Sequence, residues 1–193
     1  MKTNTIRIVQ FLIIVVIFFN FVLLSGSNRL QESTNNKIDE NVIYDKAELL
    51  TQKESAYLNA LLNKHNMKGP GNISVIIITE LPGEITIERY ANEFMEGLKI
   101  AGIGKSDNIL LLIAVKNRKI RIETSKSISD ILIDDYCHKI IEDLIVPKFK
   151  QNQYYQGIKT GLLEMISKLE AEGTNWDNPL KGRQNSGQTS NSD

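Results

Sequence analysis

The side chains of this chain that could do chemistry are mostly carboxylates in turns. They are Asp45, Asp107, Asp130, Asp134 and Asp135. Asp107 closes a glycine-containing loop, Gly102-Ile103-Gly104-Lys105-Ser106-Asp107-Asn108, that leads straight into an aliphatic run. Asp130 and Asp134 follow the next extended segment, so a sheet that brought the two loops together would place oxygen ligands beside one another. Oxygen donors of this kind suit a hard cation, and Asp107, Asp130 and Asp134 are the candidate metal ligands. Each also has a plainer role. Asp45 and Asp107 suit turns, and Asp134 can cap a helix. No Ser-His-Asp order, dinucleotide fingerprint, phosphate loop or calcium-hand spacing is present.

The remaining reactive types offer less. His65 falls near the end of a predicted helix, where an imidazolium suits the helix dipole, and no second ligand stands at helical spacing. His138 sits among Asp135, Lys139 and Glu142 and reads as a surface residue. Cys137 is the only cysteine, which excludes an internal disulfide and a zinc site, and it reads as a small core residue. The 23 basic and 23 acidic side chains balance, so nothing points to nucleic acid.

The elements that must hold these residues are legible. Ile109 to Val115 is apolar at every position, which a strand allows only when both its faces are covered. Lys119 to Thr124 alternates, with Ile120 and Ile122 on one face and Lys119, Arg121 and Glu123 on the other, predicting a strand with one wet face. The polar link between them predicts a hairpin. Asn72 to Thr79 is a second apolar, β-branched strand. Between the two apolar strands, Ile87, Tyr90, Ala91, Phe94 and Leu98 recur at helical spacing behind Thr86, a strand–helix–strand crossover that is expected to be parallel.

The flanking segments follow the same logic. Asn41 to Asp45 reads as a short extended stretch. Thr51-Gln52-Lys53-Glu54 is a capping box opening a helix to about Asn66, with Ala56, Leu58, Leu61 and Leu62 facing inward. Asp134 opens a helix through Ile140 and Leu144 that Pro147 ends or kinks. A last helix starts at Asn152 or Gln153 and carries Ile158, Leu162, Ile166 and Leu169.

The 193 residues suffice for one domain with attachments. Lys2 and Arg7 precede an apolar run from Ile8 to Leu24, and Ser25-Gly26-Ser27 follows, the make-up of a secretory signal. Residues 1–27 are thus a signal peptide or an N-terminal membrane anchor, and cleavage near Ser27 and retention both stay open. Either way the domain lies outside the cytoplasm. Residues 28–40 read as a polar tether, 41–172 as the folded domain, and 173–193 as a disordered tail whose Trp176 could dock on the domain.

Several phrases in order then resemble the TPM domain family, which includes thylakoid-lumen acid phosphatase-like proteins linked to photosystem repair and bacterial membrane-anchored members. They are Val42-Ile43-Tyr44-Asp45 before Ala47-Glu48-Leu49-Leu50, Gly102-Ile103-Gly104 with Asp107-Asn108, and Arg118 to Thr124. Leu132 with Asp134, Pro147-Lys148-Phe149, and Tyr154 with Gly157 complete the set. The resemblance implies an α/β fold: a three-layer α/β/α sandwich around a mixed, mainly parallel sheet with one β-hairpin. It also implies an extracytoplasmic location. This chain departs from the family pattern where a glycine-rich acidic turn usually follows the threonine; here stand Ser125, Lys126, Ser127, Ile128 and Ser129. Glycine permits close backbone approach to a ligand, and the missing carboxylate is one oxygen ligand fewer.

Two functions are therefore expected. One is a non-enzymatic module, tethered to the membrane by the N-terminal segment, that binds or helps assemble membrane proteins. The other is an acid phosphatase-like hydrolase assisted by Ca2+ or Mg2+, in which the metal would neutralise charge developing on a phosphoester. The substituted turn favours the first. The oligomeric state is open.

Overall fold

The structure is a computed structural model that describes residues 42–100 and 107–173. The signal or anchor segment, the tether, the glycines of the loop before Asp107 and the tail with Trp176 lie outside the described residues.

Four strands form one sheet in the order β1 (Ile43–Asp45), β2 (Asn72–Ile78), β3 (Asn108–Ala114) and β4 (Lys119–Thr124). β1 with β2 and β2 with β3 are parallel, and β3 with β4 is the expected antiparallel hairpin. The sheet is mixed and mainly parallel, as the α/β reading requires. Ile73 lies beside Ile109 and Ile77 beside Ile113, so the two apolar segments are adjacent central strands.

Every residue of β3 is buried, and the alternation of its side chains explains why. Ile109, Leu111 and Ile113 join Ile73, Val75, Ile77 and Ile122 on one face. Against that face pack α1 (Gln52–Lys68), α3 (Asp134–Lys139), a π-helical segment (Ile140–Ile145), α4 (Val146–Phe149) and α5 (Tyr154–Gly173). Leu110, Leu112 and Ala114 point the other way, with Ile76 and Ile78, onto Ile87 and Ala91 of α2 (Ile87–Ile100). Full burial of each such Leu or Ile contributes about 1.5–3 kcal/mol, which makes the two-sided burial the main reason for the three layers.

The helix ends follow local chemistry, with three departures from expectation. The capping box is formed: the Glu54 carboxylate accepts from Thr51 N–H at 2.8 Å, and Glu54 N–H donates to Thr51 Oγ1 at 3.3 Å. Asp134 is not a cap. Ile133 holds that position, with no side-chain cap bond, and Asp134 is the first helical residue, near the positive end of the helix dipole. Pro147 does not end its helix. It lacks an N–H, and the turn before it widens to π geometry, with Val146 N–H donating to the Ile141 carbonyl. Ala56 is exposed; the inward side of α1 is instead Leu58, Leu62, His65 and Asn66.

Two asparagines on one stripe of α1 join helix to sheet by hydrogen bonds. Asn59 Oδ1 accepts from Val42 and Ile43 N–H at 3.0 and 3.1 Å. Two turns on, Asn66 Oδ1 accepts from Ile73 N–H at 2.9 Å and its Nδ2 donates to the Ile73 carbonyl at 2.9 Å. On that flank β1 has not yet begun, since its first rung pairs Ile43 with Val75. The Asn66 carboxamide stands in for the missing strand.

Candidate functional site

The sheet has two ends with different chemistry. At the amino ends of β2 and β3, Asp107 accepts from Gly71 N–H through Oδ2 at 3.3 Å, and its carbonyl accepts from Asn72 N–H at 2.7 Å. Gly71 has φ of 76°, which suits glycine. Asn108 is buried; its carbonyl accepts from Ser125 N–H at 2.9 Å, and its Oδ1 is 3.5 Å from Asn72 Nδ2. Ser125 and Ser127 hydroxyls pair at 3.1 Å, and neither residue has positive φ, so this turn has no need of the glycines it lacks.

The structure thus brings Asp107 to the Ser125–Ser127 turn, as the hairpin requires. The other candidate ligands have their own surroundings. Asp130 is exposed. Asp134 is exposed too, 3.7 Å from Arg121 Nη2, and Arg121 stands opposite Leu112, well along β3 from Asp107. Asp45 Oδ1 and Oδ2 accept from Ala47 and Leu50 N–H at 3.1 and 2.8 Å, a turn role. Among the described residues no group of three or more His, Cys, Asp or Glu side chains could hold a metal ion.

His138 is exposed, as expected. His65 is at the end of α1 but buried, with Nε2 3.1 Å from the Pro70 carbonyl and Nδ1 3.6 Å from Glu170 Oε1. Cys137 is a core residue, and burial pushes its thiol up to about 11. Tyr136 is pushed up to about 12, chiefly because its hydroxyl donates to Glu164.

The carboxyl end of the parallel strands holds a cleft of about 510 Å³. Ile113, Ala114 and Val115 at the end of β3, Ile120 of β4, Val146 and Phe149 of α4, Leu49 and Tyr154 supply apolar lining. Arg118, Lys119, Lys150 and Asn152 supply the polar lining, and no carboxylate is among these residues. None of the three cations forms an ion pair among the described residues, but Lys119 lies near enough to Glu88 of α2 to attract its carboxylate.

Local backbone geometry sets these side chains. Arg118 N–H donates to the Val115 carbonyl at 3.1 Å, and Arg118 itself has φ of 52°, closing the hairpin in a conformation that usually goes to Gly or Asn. Asn152 has φ of 58° and ends α4. Gln153 N–H reaches back to the Lys148 carbonyl at 2.9 Å and Asn152 N–H to the Phe149 carbonyl at 3.0 Å, the paired bonds of a Schellman cap. The third non-glycine residue with positive φ, Glu48 at 53°, precedes Leu49. Such backbone strain concentrates at functional sites. Phe149 and Tyr154 meet edge to face at 5.1 Å.

A smaller cavity of about 180 Å³ shares Leu49, Asn152 and Tyr154 with the cleft and adds Glu54, Gln153, Tyr155 and Gln156. Reading the sequence for carboxylates missed this end. The signal was present in the phrases Arg118 to Ile120, Pro147-Lys148-Phe149 and Tyr154, which are separate in the chain and meet only in the fold.

A family model described as the TPM domain matches residues 43–168. No curated protein matches the sequence. Solved structures do. The N-terminal domain of a protein from P. gingivalis aligns at 20% identity and a TM-score of 0.61, over 70% of this chain and 85% of that one. The BA42 protein of the psychrophilic bacterium Bizionia argentinensis aligns at 24% identity and 0.54, over 65% and 84%. The N-terminal domain of the cg2496 protein from Corynebacterium glutamicum aligns at 11% and 0.50, over 76% and 87%. At these identities the likeness speaks for the fold.

Proposed function

The chain belongs to the TPM domain family, and on that footing we propose that it is a binding and assembly module for membrane proteins, held outside the cytoplasm on the membrane by its N-terminal segment. The observation that carries this reading is the cleft: preformed, apolar along its lining, and edged by Arg118, Lys119 and Lys150 with no carboxylate among its described lining residues. Binding sites are concave and largely apolar, with a few polar groups that orient the ligand. The apolar run from Ile8 to Leu24 supports the tether. The described acids support binding over hydrolysis, because Asp45 and Asp107 accept backbone N–H groups and Asp134 lies beside Arg121.

The test uses the full chain in its own membranes, with a photo-crosslinking residue in place of Tyr154 or, as control, of exposed Lys64. Crosslinking to a membrane protein from the cleft position alone is expected. In parallel, the purified chain is titrated with calcium and magnesium and offered an aryl phosphate. Turnover that disappears in Asp107→Asn would replace this reading with the metal-assisted hydrolase. Mass measurement of the mature protein is expected to retain residues 1–27; a start near Ser27 would remove the tether.

A further inference from the structure

We infer that the occupant of the cleft is the free carboxyl-terminal end of a partner polypeptide, with an apolar last residue. This rests on the binding reading above and names the ligand for that same site. The argument is one of charge and of order along the groove. Arg118 and Lys150 line the larger compartment, beside Ile113, Ile120, Val146 and Phe149, and Lys119 borders it from the face of β4 that lies towards Glu88 of α2. Arg118 and Lys150, which form no ion pair among the described residues, stand at an apolar surface and call for an anion that also carries an apolar group, and a terminal carboxylate next to an aliphatic or aromatic side chain is such a ligand. Arg and Lys bind carboxylates through charge-assisted hydrogen bonds, which are about twice as strong as neutral ones.

The smaller compartment has the opposite character. Its own residues include the amides Gln153 and Gln156 and the acid Glu54, and it joins the larger one at Leu49, Asn152 and Tyr154. Amide side chains suit the peptide groups of an extended chain, which must find partners wherever they leave water. The polypeptide therefore enters past Gln153 and Gln156, crosses Tyr154, and ends among the cations beside the β3–β4 hairpin. Arg118 keeps its left-handed backbone at a position where Gly or Asn would be unstrained, and the reason assigned here is its guanidinium.

The test uses the full chain in detergent micelles, immobilised, and a pool of short fluorescent peptides randomised towards their carboxyl ends. The pool is made once with free carboxylates and once as terminal amides. The free-acid pool should be retained about tenfold or more over the amides, from the usual worth of hydrogen bonds to a charged group. The retained peptides should be enriched in apolar last residues. The advantage should vanish when Arg118→Asn, Lys119→Gln and Lys150→Gln are combined, with circular dichroism unchanged because all three side chains are exposed. Equal retention of the two pools, or retention of neither, overturns the inference. A short-chain anionic phospholipid held by the wild-type chain and not by the triple variant would then identify a headgroup as the occupant, leaving the binding reading intact.

Discussion

Asn66→Ala tests the link between α1 and the sheet. The side chain is buried and satisfies both polar backbone groups of Ile73, each at 2.9 Å. Alanine leaves an N–H and a C=O facing a flank where β1 does not reach. A buried polar group without a partner costs about 1–3 kcal/mol, so two cost about 2–6 kcal/mol. Alanine recovers about 0.5 kcal/mol through its higher helix propensity. The expected net loss is about 2–5 kcal/mol, a large share of the roughly 5–15 kcal/mol that holds a domain folded. Urea unfolding followed by circular dichroism should show the midpoint falling with an unchanged slope. Asn66→Asp sharpens the test. Ionised, the new carboxylate cannot donate to the Ile73 carbonyl and is buried against it, so its folded pKa is raised. A raised carboxyl pKa means the folded state binds the proton more tightly, so stability of this variant should rise as pH falls towards the ordinary aspartate value near 3.9. A loss below about 1 kcal/mol in Asn66→Ala, or an Asn66→Asp variant indifferent to acid, would refute the reasoning.

Four further outcomes are expected. Gly157→Ala would place a methyl 2.8 Å from Phe149 Cδ1 and 3.0 Å from the Ile145 carbonyl; overpacking of about 1–3 kcal/mol outweighs a helix-propensity gain of about 1 kcal/mol. Thermal unfolding should shift down and, because Phe149 lines the cleft, peptide retention should fall with it. Arg118→Gly relieves positive φ, so stability should hold or rise by up to about 1 kcal/mol while peptide retention drops; a clear loss of stability would show that the arginine is there for the fold. Cys137, buried and pushed up to about 11, should resist a thiol-specific reagent at pH 8 until denaturant is added. Tyr136 is held protonated by its bond to Glu164, with its pKa raised from 10.0 to about 12; that contribution is complete below pH 10 and lost as pH climbs through about 12. Tyr136→Phe should flatten this alkaline decline in unfolding midpoint.

What the sequence by itself determined is the sheet. An unbroken aliphatic run at Ile109 to Val115 can be solvated on neither face, so helical layers on both sides follow from composition alone. The alternation from Lys119 to Thr124 likewise dictated a hairpin partner with one inward face, Ile122. Its other face was expected to be wet and is partly covered: Arg121 and Glu123 are 30% and 16% exposed and pair at 2.9 Å. The capping box at Thr51 was legible because it is a contact over three residues. Contacts across longer separations were not. Asn66 looks like any polar residue on a helix until β2 lies beside it, and His65 looks like a surface residue for the same reason.

The cleft was decided by tertiary structure alone. Its lining comes from Leu49, from the hairpin at Val115 to Ile120, and from Val146 to Tyr154. These are three stretches that periodicity treats independently. Binding surfaces are made of residues distant in the chain, and nothing in a local pattern constrains their convergence. A search for carboxylates led to the amino end of β3, where Asp107 joins loops; the strand directions placed Arg118 and Lys150, without ion pairs among the described residues, at the opposite end.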